Sequence, residues 1–307
     1  MLENKGNSVV AAVALTLMSA ITFAADDTTV SQADDTMVSQ KDIWALVQEE
    51  EDGYRAGSFL LQPEVSLSGV YDSNIFATRT NEVEDSILVF SPILEANSMW
   101  ERHKLDFGLG GAFGRYTTND NEDYDDYWAN LDGRYDFADN SHVFGGLGYS
   151  HEHEDRGSPE ASLSGIDPTV FDSSRIHAGA SHSWERANVR LGGTYEVLDF
   201  EDSGLLNNQD RNRNMSGAGV RLGYALNPRY SLYGQGVWDR RDYDEPIDDA
   251  GYQRDSDGYR TDIGVVVTFT NRLKGEAYLG HLHQAYEDPR FSSVSAPDFG
   301  GNLRWFA

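Results

Sequence analysis

From Pro63 the chain alternates. Val65, Leu67, Gly69 and Tyr71 fall on one side of a period-two pattern, and Glu64, Ser66, Ser68 and Val70 on the other. Period two means a strand with two unlike faces. The same grammar returns along the chain. Leu88, Phe90, Pro92, Leu94 and Ala96 alternate against Ser91, Glu95 and Asn97. Leu105, Phe107, Leu109, Gly111 and Phe113 alternate against Asp106, Gly108 and Gly110. Ala129, Leu131, Gly133, Tyr135 and Phe137 oppose Trp128, Asn130, Asp132, Arg134 and Asp136. Further apolar faces run through Val143–Tyr149, Ile176–Trp184, Val189–Val197, Ala218–Leu226, Ile263–Phe269, Gly275–His281 and Phe299–Trp305. Tyr230–Trp238 is the weakest of the series, with Leu232 and Trp238 on one face and Tyr233 and Val237 on the other.

Tight turns near residues 101, 140, 187, 228 and 271 separate these runs on one side, and long polar loops on the other. The turns recur roughly every forty residues, a period shared with propeller blades and solenoids. Here each period holds two strands of about ten residues, the length that crosses a tilted bilayer. Short turns at one end and long loops at the other are the outer-membrane pattern, turns periplasmic and loops outside. In lipid every backbone amide needs a partner, so such strands pair all the way around. The expectation is an all-β, antiparallel transmembrane β-barrel of outer-membrane type with about twelve strands, an even number as is usual for single-chain barrels.

Composition tests this reading. The chain has 307 residues, a formal charge of −27 and no cysteine. Its mean hydropathy of −0.54 is low for a membrane protein, but in a barrel only alternate residues meet lipid and the loops are polar. A helical membrane protein would need about 20 consecutive apolar residues, and no run downstream of the N-terminus approaches that. The 30 glycines suit strongly curved strands. The acidic charge argues against a nucleic-acid partner.

Residues 1–24 read as a secretory signal: Lys5, an apolar core from Val9 to Ala20, and small residues at Thr22–Ala24. Residues 25–58 read as an acidic periplasmic linker, largely disordered, with helix-forming residues for a turn or two at Asp42–Gln48. A docking peptide for an inner-membrane partner is the alternative use of that stretch. Residues 59–307 form the barrel unit.

The face opposite the apolar one carries the candidate chemistry. Glu64, Glu95, Asp106, Asp132, Asp136, Glu196, Asp262 and Glu276 are acidic there, and Lys104, Arg134, Arg190, Arg221, Lys274 and Arg304 basic. They read either as a polar lumen that conducts or binds a hydrophilic chain, or as mutual pairs that prop or plug the barrel. Trp128 and Tyr278 on the same face have rings that can stack on sugars. His151 and His153 share a strand face beside Glu152, Glu154 and Asp155, as do His281 and His283, but the spacing is unspecific and reads as solvated rim. Thr117–Asp126 holds five acids and no base, and 240–259 seven acids and three bases. Neither has the spaced acids and central glycine of a calcium loop; solvated loop charge is the plain reading, with bridging to lipopolysaccharide through divalent ions as the alternative. No G-x-S-x-G elbow and no phosphate-binding loop is present, and the reading is of a non-enzyme without catalytic residues, cofactor or metal.

Tyr54-Arg55-Ala56-Gly57-Ser58-Phe59, then Pro63, then Tyr71-Asp72-Ser73-Asn74-Ile75-Phe76 resembles the opening of the putative beta-barrel porin 2 family, found with bacterial exopolysaccharide and capsule operons. The resemblance extends from Tyr54 to Ala307 and is sharpest at Tyr71–Phe76. It implies an outer-membrane protein of a Gram-negative bacterium with a role in surface polysaccharide secretion or assembly. Its implied partners are membrane lipid, lipopolysaccharide, the barrel-insertion machinery, polysaccharide and periplasmic secretion components. A general diffusion porin for small hydrophilic solutes and a structural or adhesive barrel are the competing readings. Family members carry further hairpins after a segment like Arg304-Trp305-Phe306-Ala307, so a larger barrel continuing past residue 307 is also expected.

Overall fold

In the computed structural model, residues 53–306 are described, apart from 159–160, 162–166 and 205. The expected signal and most of the expected linker lie outside the described residues. Within them the chain is one antiparallel sheet whose strands pair strictly in sequence order. A three-residue strand, β1 (Tyr54–Ala56), precedes twelve long ones. These are β2 (Phe59–Asp72), β3 (Asp85–Ser98), β4 (Lys104–Tyr116), β5 (Tyr124–Ala138), β6 (Ser141–His153) and β7 (Val170–Ser183). They continue with β8 (Ala187–Phe200), β9 (Arg213–Asn227), β10 (Tyr230–Tyr243), β11 (Ser256–Thr270), β12 (Leu273–Tyr286) and β13 (Val294–Trp305). β1 folds back on Phe59–Leu61 through a turn in which Gly57 has φ 63°, so three residues of the segment read as linker are paired.

Register follows the alternation. Leu67 lies opposite Phe90, Leu94 opposite Leu109, Leu131 opposite Leu147, Leu147 opposite Ile176 and Leu232 opposite both Tyr224 and Val265. The large apolar side chains thereby gather on one face and stay exposed, as for Ile176, Leu222 and Ile263. The intervening residues are more covered: Asp136, Arg221, Tyr233, Val237 and Asp262 are all buried. A sheet that exposes its oil and shelters its charge is built for lipid outside and water within. Sheltering requires curvature, and side chains two and three strands apart do meet on the polar, concave face. No helix among the described residues is long and apolar enough to cross a membrane.

The pairing corrects one expectation. Among the described residues the sheet does not close: β13 pairs only with β12, and β1 covers only the first three residues of the other edge of β2. No strand among the described residues pairs with the outer edge of β13 or with the rest of the β2 edge. Side chains flanking the seam are accordingly among the most open on the convex face, with Leu67 at 67% and Trp305 at 79% exposure.

Candidate lumen and outer collar

The concave face is laid with ion pairs that cross strands. His177 Nε2 on β7 lies 3.3 Å from Asp132 on β5, and Arg175 on β7 lies 3.0 Å from Glu196 on β8. Arg134 and Asp136 pair at 2.7 Å along β5. Arg221 on β9 reaches Glu276 on β12 at 3.0 Å. Arg260 on β11 bridges Asp262 at 3.2 Å and Asp298 on β13 at 3.6 Å. The structure thus places all ten candidate residues on the concave side and brings at least seven of them into pairs: Asp132, Arg134, Asp136, Glu196, Arg221, Glu276 and Asp262. Glu95 and Asp106 stand on β3 and β4, where Asp106 is the register partner of Asp132. Arg304 is exposed on the seam strand β13.

Aromatic rings form the second component of this face. The Trp128 ring lies on Gly108 and Gly110 of β4, where a Cβ would sit 2.9 Å from it. Tyr233 lies in the same way on Gly264, Tyr278 on Gly300, Phe144 on Gly179 and Tyr124 on Gly114. Each ring occupies the side-chain space its cross-strand glycine vacates, shielding that backbone and pinning register. Trp128 and Tyr278 therefore spend one ring face on the wall. Tyr233 is covered on its other face as well, since the Arg221 guanidinium sits 3.6 Å from its centroid. Glycine, ring, guanidinium and carboxylate make one stack.

At the long-loop end the structure corrects the plain reading of solvated loop charge. Glu122, in the 3₁₀ turn Asp120–Glu122, is 3% exposed and receives Arg156 of the β6–β7 loop at 2.7 and 2.5 Å. Glu154 of that loop receives Arg211 of the β8–β9 loop at 2.7 and 3.1 Å. Asp210, beside Arg211, takes Arg254 of the β10–β11 loop at 3.3 Å, and Arg254 also holds Asp248 at 2.7 Å. Asp288 of the β12–β13 loop accepts the Gln253 amide at 3.0 Å and Arg290 at 2.5 Å, while Arg290 donates to the Gly251 carbonyl. On the other flank Asp85 accepts the Thr118 and Asn119 amides at 3.1 and 2.8 Å. Every neighbouring pair of long loops is thus joined by a sheltered carboxylate. These contacts form a continuous collar.

Two collar carboxylates, Asp248 and Asp288, are held anionic for a physical reason. Burial pushes Asp248 up, but the Tyr252 amide and the Arg254 guanidinium outweigh it and hold the group below the usual carboxylate range. The Arg290 guanidinium, then the Arg290 and Gln253 amides, hold Asp288 well below that range.

The Tyr71–Phe76 block braces the first loop. Asp72 accepts the Asn74 amide at 2.8 Å, closing an Asx turn. Asn74 bonds Thr78 both ways, Nδ2 to the carbonyl at 2.8 Å and Oδ1 from the amide at 3.0 Å. Ile75 is buried and donates to the Val83 carbonyl, Phe76 lies under the Arg156 guanidinium, and the Tyr71 hydroxyl donates to Glu84. Ser73 completes the turn. The putative beta-barrel porin 2 family matches residues 50–307.

The chain belongs to that family. It is an outer-membrane β-barrel protein of a Gram-negative cell. No curated protein matches the sequence. Among solved structures, this chain is similar to the outer-membrane expressed OmpT of Vibrio cholerae at 11% identity and TM-score 0.44, over 83% of this chain and 99% of that one. It is similar to the COG4313 outer membrane channel from Pseudomonas putida F1 at 12% identity and TM-score 0.37, over 85% and 99%. The translocator domain of the autotransporter NalP from Neisseria meningitidis matches at 14% identity and TM-score 0.34, over 87% and 95%.

The rim histidines have side-chain partners. His151 Nδ1 bonds Asp172 at 2.7 Å with its ring on Tyr127, and His153 Nδ1 bonds Asp126 at 2.9 Å with its ring on Tyr124. His281 Nε2 lies 2.9 Å from Ser295 Oγ. No group of three or more His, Asp or Glu among the described residues is arranged to hold a metal ion.

Proposed function

We propose that this barrel carries a hydrophilic carbohydrate chain across the outer membrane, in support of exopolysaccharide or capsule secretion. The observation that supports it is the concave face. Its charges are largely consumed by one another, as in Arg221–Glu276 and Arg175–Glu196, and rings such as Trp128 and Tyr278 lie flat between them. A wall that is polar without a strong net field along it suits a polyhydroxylated chain, whose hydroxyls need hydrogen-bond partners and whose ring faces need apolar ones. The polymer itself enters through the family resemblance of the first loop.

A second reading follows from the same face: a diffusion porin for small hydrophilic solutes. Deleting the gene separates the two. Cell-bound and released polysaccharide are quantified beside uptake of a small hydrophilic antibiotic. Secretion predicts that polysaccharide falls while uptake holds. Reduced uptake with unchanged polysaccharide would reject the secretion reading in favour of the porin.

A further inference from the structure

Charge at the short-turn end of the sheet is uneven. The β7–β8, β9–β10 and β11–β12 turns each present one arginine, Arg186, Arg229 and Arg272, and all three are exposed. Their side chains make no ion pair among the described residues. Residues 183–188, 226–230, 270–275 and 302–306 hold five bases and one acid, Glu185, in a chain of net charge −27. On the concave side of this sector Lys274 and Arg304 are cross-strand partners, and Glu276 is taken by Arg221 at 3.0 Å. The first two short turns differ: Arg102 lies 3.4 Å from Asp139, with Glu101 next to it in the chain. The cationic part of the rim therefore belongs to β7–β13.

A polyanion is tethered at the same end. Residues 26–52 hold nine acids and one base, and Glu49-Glu50-Glu51-Asp52 runs straight into Gly53. β1, which follows, pairs with Phe59–Leu61, at the end of β2 that lies opposite Ser98 and beside the short turns. Along the sheet, at about 4.8 Å per strand, β8 is about 29 Å from β2 and β12 about 48 Å. A segment of this length spans up to about 90 Å, so its acids reach all three arginines. One exposed ion pair is weak. A tethered segment, however, meets the rim at an effective concentration on the order of millimolar, and its pairs act together. Short turns face the periplasm. We infer that the acidic segment 26–52 docks on the periplasmic rim of its own barrel, against Arg186, Arg229 and Arg272.

The test uses the full chain folded into phosphatidylcholine vesicles, with spin labels on Thr36→Cys in the segment and Asn271→Cys in the β11–β12 turn. Pulsed electron paramagnetic resonance reads the distance between them. At low salt the distances should be confined, and about 1 M salt, which screens exposed charge beyond about 3 Å, should broaden them. Reversing Arg186, Arg229 and Arg272 to Glu together should broaden them as well, whereas Arg79→Glu, in the first long loop, should not. Replacing Glu49, Glu50 and Glu51 by Gln and Asp52 by Asn leaves every barrel residue unchanged and should also broaden them. Distances equally broad in the parent and the arginine variant, or equally confined in both, overturn the docking. Confinement that disappears in phosphatidylglycerol vesicles assigns the arginines to lipid phosphate and overturns it too.

Discussion

Arg221 of β9 and Glu276 of β12 meet at 3.0 Å across two intervening strands, and the Tyr233 ring lies between the guanidinium and the Gly264 backbone. Strands three apart in a flat sheet stand about 14 Å from each other, so this contact needs strong curvature. Both side chains are mostly covered, at 10% and 17% exposure. Removing one partner leaves a sheltered charge alone. Arg221→Ala is expected to destabilise the folded barrel by about 3–5 kcal/mol, and the double variant with Glu276→Ala by clearly less. Urea titration of protein folded into lipid vesicles reads both.

The glycine–ring pairs predict opposite effects at their two ends. Gly264→Ala puts a Cβ against the Tyr233 ring, whose atoms stand 2.3 Å from that position. The forced shift should cost about 1–3 kcal/mol. Tyr233→Ala in the same chain should recover part of it. Trp128→Ala instead bares Gly108 and Gly110, and single-channel conductance in a planar bilayer should rise.

Faces are tested by charge. Ile176 sits mid-strand on the convex side of β7 and is 49% exposed. Ile176→Arg should cost about 2–4 kcal/mol, the value for a cation on the lipid face near the midplane. The adjacent His177→Arg, which keeps a nitrogen donor beside Asp132 on the concave face, should be nearly neutral in the same vesicle titration.

Strand positions and faces were legible because period two is written locally, and register carried it across the sheet. The doubtful strand at Tyr230–Trp238 resolves as read, with Tyr233 and Val237 buried and Leu232 and Trp238 exposed. Polar residues at strand ends hid the true lengths: β10 runs to Tyr243 and β11 starts at Ser256, inside a stretch that reads as loop. The collar was not legible. Arg156 and Glu122 are 34 residues apart, and Arg211 and Glu154 are 57 apart. Such pairs arise only once hairpins bring loop tops together, so the loops look merely acidic. The glycine–ring pairs were missed for the same reason: glycine signals curvature in sequence, while its ring is set by cross-strand register.

The collar predicts resistance to mild acid. Asp248 and Asp288 have folded-state values held below their unfolded ones. Groups shifted that way stabilise above the unfolded value of about 4 and lose that contribution only as pH falls below it. Loop cleavage by a protease active across acid pH, followed on intact cells, should therefore stay low at pH 5 and rise only beneath the ordinary carboxylate range. Arg156→Ala, which strands Glu122, should raise cleavage already at neutral pH in the β4–β5 and β6–β7 loops.

The central claim is that the concave face borders water and the convex face borders lipid. The chain has no cysteine, so single cysteines can be placed on either side without background. Cysteine at Glu196 or Asp262 should react with a charged, membrane-impermeant thiol reagent in reconstituted vesicles, and cysteine at Ile176 or Leu222 should not. Labelling at Ile176 and Leu222 with protection at Glu196 and Asp262 would contradict the account.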